Sequence, residues 1–162
     1  QFIMFASFFL DAYAFSTEAV IGYTIGKRVK SSFLTAVSNS FKLSIFSGLI
    51  ISVIYLFTFQ LIINELTNLD YLKFLAFNYI FWIVIIPPIA SICYQFDGIF
   101  IGASQTAEMR NGMIISTVLF VTSSHFLVTN FGNHGLWLSL FFFMIIRSVT
   151  LNYFFNRILT KF

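Results

Sequence analysis

Five long apolar stretches constrain this chain more than any other feature. A helix needs about 20 residues to cross the ~30 Å hydrocarbon layer of a bilayer, and each stretch is close to that length or longer. They are also too long and too continuously apolar for the strands of a membrane barrel. With 59% hydrophobic and 9% charged residues, the chain predicts an all-α polytopic membrane protein with five transmembrane helices. The predicted spans are Phe2 to Gly26, Leu43 to Ile63, Phe74 to Gly102, Met113 to Thr129 and Leu136 to Phe155.

Two details of these spans carry structural expectations. The fourth and fifth are separated only by residues 130–135, whose Gly and Asn residues suit a tight turn, so a helical hairpin is expected. The third is longer than a straight crossing requires, which predicts tilt or a kink. No low-complexity tract or charge block divides the chain, so residues 1–162 are expected to form one domain.

The basic residues predict an orientation. Lys and Arg follow the first, third and fifth stretches, at positions that fall on one side of the membrane if each stretch crosses; they are Lys27, Arg28, Lys30, Arg110, Arg157 and Lys161. The positive-inside rule puts that side in the cytoplasm, so the carboxyl end is expected there and the amino end outside. The net charge of +3 is explained by these residues and does not indicate nucleic-acid binding.

Three of the six acidic residues lie inside the predicted spans, where an ionised carboxylate is costly and usually functional. Asp11 and Glu18 are seven residues apart, which places them on nearly the same face of a helix, roughly 10 Å apart along its axis. Burial favours the neutral form of a carboxylate, so such groups can exchange a proton for another cation. The alternative is permanent neutralisation by Lys42 near the start of the second span or by Arg147 midway along the fifth.

The third intramembrane carboxylate, Asp97, follows the pair Pro87 and Pro88 on one span. Each proline deprives the carbonyl four residues earlier of its donor, so Ile83 and Val84 are expected to offer free oxygens at membrane depth. A broken helix beside a carboxylate is a construction that transporters use for ion or substrate sites. A kink required only by packing is the alternative.

Two glycine pairs have the small-xxx-small spacing that lets membrane helices approach closely. They are Gly22 with Gly26 and Gly98 with Gly102, and packing is the preferred explanation for both. His125 could relay protons or serve a structural role, and His134 is expected in a loop. Two distant histidines and the single Cys93 give no metal-ligand spacing, and no motif for catalysis is visible, so we expect neither an enzyme nor a cofactor.

Several segments together resemble the carboxyl-terminal half of a DinF-type transporter of the MATE (multidrug and toxic compound extrusion) family. The most specific is Asp97-Gly98-x-x-x-Gly102-Ala103, which continues into Glu108-Met109-Arg110-Asn111. The order and spacing agree across nearly the whole chain. The other matching segments are Leu10-Asp11-Ala12-Tyr13-Ala14-Phe15 with Glu18, Gly22 and Gly26, and Gly132-Asn133-His134-Gly135-Leu136-Trp137.

The resemblance implies a fold of twelve helices in two six-helix lobes, of which this chain would supply the eighth to the twelfth. It implies a multi-pass protein of the cell (inner) membrane that exports amphiphilic, often cationic compounds in exchange for protons or sodium ions. Asp97, Asp11 and Glu18 match positions where relatives carry coupling carboxylates. The expected partners are membrane lipid, an amphiphilic small-molecule substrate and the amino-terminal lobe of the same protein, because the chain begins at Gln1 and is expected to be a fragment.

Two other functions remain open at this point. A non-transporting membrane subunit with a proton relay would favour alternating Lys, Glu and His along several helices, whereas here the acids cluster on two spans. A structural membrane scaffold would explain the glycine pairs but gives no reason to retain three carboxylates in hydrocarbon.

The predicted orientation can be tested with single cysteines placed in the loops at Ser31 and Asn68. Because these positions fall on opposite sides of the second span, an impermeant thiol reagent applied to intact cells should label only the cysteine at 68. Labelling in permeabilised cells, where both should react, is the control. Labelling at 31 alone would invert the topology.

Overall fold

The structure is a computed structural model that describes residues 1–160 and 162. Within those residues the regular structure is entirely helical, which confirms the predicted all-α class. There are six helices in this part of the chain: α1 (Phe2–Gly26), α2 (Lys30–Leu66), α3 (Asp70–Phe77), α4 (Ile80–Gly102), α5 (Thr106–Phe131) and α6 (Asn133–Leu159). Five of them, all except α3, are long and apolar enough to cross a membrane.

Two predicted span boundaries need correction. The third span does not run from Phe74, because the chain forms the separate short helix α3 and begins a new helix at Ile80. The excess length therefore reflects a second helix rather than tilt. Helix α2 begins at Lys30, well before the predicted Leu43. Its polar first turns carry no hydropathy signal, but Phe33 and Val37 are buried there and hold that part of the helix against the bundle.

Helix α4 is the centre of the fold. It packs against α1 and α2 in a three-helix group, and its other side packs against α6. Helix α6 in turn forms a tight hairpin with α5, whose contact with α4 is slight. The molecule thus consists of two sub-bundles, α1–α2–α4 and α5–α6, which meet along the α4–α6 interface.

The contacts between helices show how the spans are directed. Gly98 of α4 lies on Ala14 of α1, and Gly102 lies on Glu18 four residues later in each helix, so α1 and α4 are parallel. Trp82 meets His134, and Asp97 meets Arg147, so α4 and α6 are parallel as well. Helices α2 and α5 run the opposite way. This alternation is what five successive crossings of a membrane require.

The α1–α4 contact is made by backbone against backbone. A Cβ added at Gly98 would overlap the carbonyl group of Ala14, and one added at Gly102 would come within 2.5 Å of the carbonyl oxygen of Glu18. Glycine is needed at both positions, as the small-xxx-small spacing suggests. The hairpin has an equivalent point at Gly135, where a Cβ would overlap the backbone of Leu127.

The other predicted glycine pair behaves differently. A Cβ at Gly22 would meet the carbonyl oxygen of Gly102 at 3.6 Å, an ordinary van der Waals distance, and one at Gly26 would meet nothing within 4 Å. The expectation that Gly26 packs a helix interface is therefore wrong for this structure. The reason is register: α4 ends at Gly102, beside Gly22, so no helix remains for Gly26 to approach.

We expect Gly98→Ala to reduce the thermal stability of the folded protein strongly, by roughly 1 to 3 kcal/mol, because the added methyl group forces α1 and α4 apart. Gly26→Ala is the matched control and should be neutral, since its methyl group meets no other atom. Thermal unfolding in detergent, followed by circular dichroism, measures both. Equal effects of the two substitutions would contradict the assigned α1–α4 contact.

Candidate functional site

The centre of the candidate site is an ion pair between Asp97 of α4 and Arg147 of α6. The guanidinium Nη2 donates to Asp97 Oδ1 at 2.8 Å, and the two side chains are only 13% and 12% exposed. The parallel packing of α4 and α6 brings together these residues, which are fifty positions apart in the chain. The pair joins the two sub-bundles and lies well inside the length of both helices.

Asp11 belongs to the same cluster. It lies half-buried on α1, close enough to Asp97 for the two carboxylates to interact electrostatically. The register of the α1–α4 contact explains this proximity, because Gly98 on Ala14 puts Asp97 at the level of Tyr13. Asp11 is two residues away from that level, or about 3 Å along the helix axis. Two carboxylates against one guanidinium leave one negative charge unbalanced in the described cluster.

Glu18 lies outside this cluster, one to two helical turns further along α1 and beside Gly102. Neutralisation of Asp11 or Glu18 by Arg147, the alternative considered above, is not what the structure has, because the guanidinium forms its salt bridge with Asp97. Lys42 is exposed on α2 and makes no ion pair with any carboxylate in residues 1–160 and 162. Its outward position follows from helix geometry, because Ser44, which donates to the Ser91 carbonyl of α4, is two residues away and so about 160° around the helix.

A second ion pair, missed by the sequence reasoning, joins Glu108 of α5 to Arg157 of α6. The Arg157 Nη1 donates to Glu108 Oε1 at 3.0 Å, and the arginine, 61% exposed, also lies over the Phe154 ring. A usable signal was present: the two residues stand almost equally far before and after Gly132, the turn of the hairpin. Antiparallel helices joined by a short turn bring such positions to the same level.

The proline pair lies in an unbroken helix. Helix α4 continues through Pro87 and Pro88, so the expected break is absent from the structure. The carbonyl of Val84, which loses its helical donor to Pro88, instead accepts a hydrogen bond of 2.6 Å from the Ser52 hydroxyl. The expectation that this oxygen is free for an ion is therefore wrong. A side chain of the neighbouring helix satisfies it, as membrane helices with internal proline require.

A small-residue stripe on α2 makes this possible. A Cβ at Gly48 would lie 3.0 Å from both the Pro87 carbonyl oxygen and the Pro88 Cα, so only glycine fits without adjustment. One turn later Ser52 reaches Val84, and one turn earlier Ser44 donates to the Ser91 carbonyl at 3.4 Å. The prolines thus serve the close packing of α2 on α4.

The histidines and the cysteine lie apart from the charged cluster. His134 stands in the first turn of α6 rather than in a loop, and its Nδ1 accepts a 3.1 Å hydrogen bond from Trp82 Nε1. Its ring also lies against Tyr79, with 4.8 Å between centroids. His125 is exposed on α5. Cys93 is buried at the α4–α6 interface beside Ser148.

Two apolar grooves run along α1 and α2, with volumes of about 280 and 380 Å³. They share Phe9 and Tyr55, and Tyr13 lines the second. Phe9 and Tyr13 are each two residues from Asp11, which places them about 160° around the helix from it. The grooves therefore lie on a different face of α1 from the charged cluster.

Comparison with known proteins finds one similar sequence. Over 149 residues, 92% of this chain, the sequence is 36% identical to DNA damage-inducible protein F (DinF) of Escherichia coli (strain K12). The sequence is therefore similar to DinF, which is a member of the MATE family. It spans about a third of that relative, 32% of its length. No protein-family model matches the chain, and no solved structure matches it.

The segment that most specifically resembles the MATE family coincides with the most constrained part of the fold. Asp97 forms the α4–α6 ion pair, while Gly98 and Gly102 make the α1–α4 backbone contact. The motif continues to Glu108, which forms the second ion pair. A short segment thus makes the contacts of α4 with α1 and with α6.

The role of Ser52 predicts a thermodynamic coupling to Pro88. Ser52→Ala should lower the free energy of unfolding by about 1 kcal/mol, because the Val84 carbonyl is left without a donor. Replacing Pro88 by Ala restores an N–H four residues after Val84, so in that background Ser52→Ala should cost much less. A double-mutant cycle measured by thermal unfolding in detergent tests this. Equal costs in both backgrounds would contradict the assigned role.

Proposed function

We propose that this chain is the carboxyl-terminal lobe of a secondary antiporter that exports amphiphilic, cationic compounds in exchange for protons or sodium ions. The observation that carries the proposal is the unbalanced charge of the cluster. Asp97 and Asp11 interact with each other inside the membrane-spanning bundle. The guanidinium of Arg147 on α6 is the one cationic group that forms a salt bridge with them in the described residues. One small cation, or one positively charged group of a substrate, would neutralise the remaining carboxylate. Such a site can exchange one cation for another.

The chemistry required of the site is exchange rather than covalent reaction. Two nearby carboxylates repel each other in a low dielectric, so the second binds a proton or metal cation more readily than an isolated group would. A cationic substrate competes for the same negative charge. Mutually exclusive occupancy by the coupling ion and the substrate is the requirement for antiport. Asp97 is proposed as the principal coupling residue, Asp11 as the second and Glu18 as the third.

The remaining parts of the transporter are also proposals. The similarity to DinF over a third of that protein supports an assignment to helices eight to twelve of a twelve-helix protein. An amino-terminal lobe would then face this one and complete the transport path. The basic ends of α1, α4 and α6 support a location in the inner membrane with the carboxyl end in the cytoplasm. Lipid would cover much of the apolar outer surface.

Asp97→Asn in the complete transporter should abolish ion-driven export without preventing membrane insertion, because the amide keeps the shape of the side chain but carries no titratable charge. Efflux of a fluorescent cationic dye from energised proteoliposomes measures the effect. The matched control is Glu108→Gln, which neutralises the other carboxylate paired with an α6 arginine and should retain export per folded molecule.

The same assay ranks the three carboxylates. Asp11→Asn should reduce export less than Asp97→Asn, and Glu18→Gln least, because Glu18 lies one to two turns away from the charged cluster. Normal ion-driven export by the Asp97→Asn protein would contradict the proposed coupling role. Coupling would then have to reside in Asp11 or in the other lobe.

A further inference from the structure

The Asp97–Arg147 salt bridge lies at the interface between the two sub-bundles. The α5–α6 hairpin is held to the rest of the bundle chiefly through α6 and α4. Among the described residues, this pair is the one salt bridge that crosses the α4–α6 interface; the other two lie within α3 and within the hairpin. A change in the occupancy of Asp97 therefore acts directly on the contact between the two sub-bundles.

The pair is also incompletely bonded. A buried arginine paired with a carboxylate commonly makes two parallel hydrogen bonds. Here Nη2 alone donates to Asp97, and the buried Nε–H of Arg147 has no acceptor among the described residues. An unsatisfied buried donor costs free energy and weakens the net benefit of the pair. Such a guanidinium can be displaced more easily than one held by a bidentate pair.

We propose that Arg147 is a positioning residue that acts as a tethered cation: it holds Asp97 while no coupling ion is bound, and the coupling ion must displace it. This inference rests on the proposed antiport function and adds a competitor within the protein itself. The guanidinium and the coupling ion bind the same carboxylate, so the strength of the salt bridge sets the ion concentration at which the site fills. Arg147 thereby determines the apparent affinity for the ion.

The groups around Asp97 determine what the Arg147 guanidinium can still interact with after a cation displaces it. The titratable groups that interact electrostatically with its carboxylate are Arg147 from α6, Asp11 from α1 and, on its own helix, Cys93 and Tyr94. Of these, Asp11 is the other carboxylate. Once a cation neutralises Asp97, Asp11 is the one carboxylate of this group that can still attract the guanidinium. Ion binding thus removes the salt bridge between α6 and α4, while the Trp82–His134 hydrogen bond of that interface remains.

The test compares Arg147→Gln, Arg147→Lys and the wild type in the complete transporter, reconstituted in proteoliposomes. The half-saturating ion concentration for dye export is measured in two arms, with a proton gradient and with a sodium gradient. Removing the competitor by Arg147→Gln should lower that concentration at least about tenfold in the arm that drives export. Arg147→Lys should lower it less, because the ammonium keeps the charge but is more strongly hydrated than a guanidinium.

Arg157→Gln is the matched control, because it removes the other paired arginine of α6 at a distance from Asp97 and should leave the half-saturating concentration unchanged. If Arg147→Gln does not accumulate in the membrane, Arg147→Lys alone decides. An unchanged half-saturating concentration in the Arg147 variants, with only less folded protein, would overturn the inference. Failure of the proposed function looks different: Asp97→Asn would then export normally, or the wild type would show no ion-driven export.

Discussion

The structure depends first on the backbone contact between α1 and α4. Inside a bilayer, helices gain nothing from hiding apolar side chains from water, so close contact must hold them together. Gly98 and Gly102 provide that contact by letting the carbonyls of Ala14 and Glu18 approach the α4 backbone. The contact also fixes the register, since a shift of α1 by one turn would move Asp11 about 5 Å away from the level of Asp97. The composition of the charged cluster is therefore a consequence of where two glycines stand.

Most of the fold could be predicted from hydropathy and turn residues, because each span is a property of a continuous segment. Helix α1 has the predicted bounds, and the α5–α6 hairpin turns at Gly132, whose positive φ of 58° suits glycine. The errors came where hydropathy carries no information. The polar turns of α2 from Lys30 are helical because Phe33 and Val37 are buried. Helix α3 is divided from α4 at Asn78 and Tyr79, within a stretch that hydropathy predicts as one span.

The candidate site was predictable as a set of carboxylates but not as an arrangement. Asp97 and Asp11 stood out because charges in apolar spans are rare, whereas the partner of Arg147 depends on which helices are neighbours. Likewise, two prolines in sequence imply two carbonyls without donors, but only the position of α2 shows that the Ser52 hydroxyl satisfies the Val84 carbonyl. Features of a single helix can be predicted from its own residues. Contacts between helices can be predicted only when the register between those helices is known.

The two ion pairs of α6 consist of the same kinds of group but differ in their surroundings. Arg157 and Glu108 meet at the end of the hairpin, where the carboxylate is 11% exposed but the arginine is 61% exposed, so water screens the interaction from the arginine's side. Arg147 and Asp97 are both almost buried, and the attraction between opposite charges is several-fold stronger in such surroundings. Neutralising the outer carboxylate leaves the salt bridge between the sub-bundles in place. Neutralising the inner one removes the one salt bridge described between the sub-bundles, which is why the proposed coupling of cation binding to the α4–α6 contact rests on the inner pair.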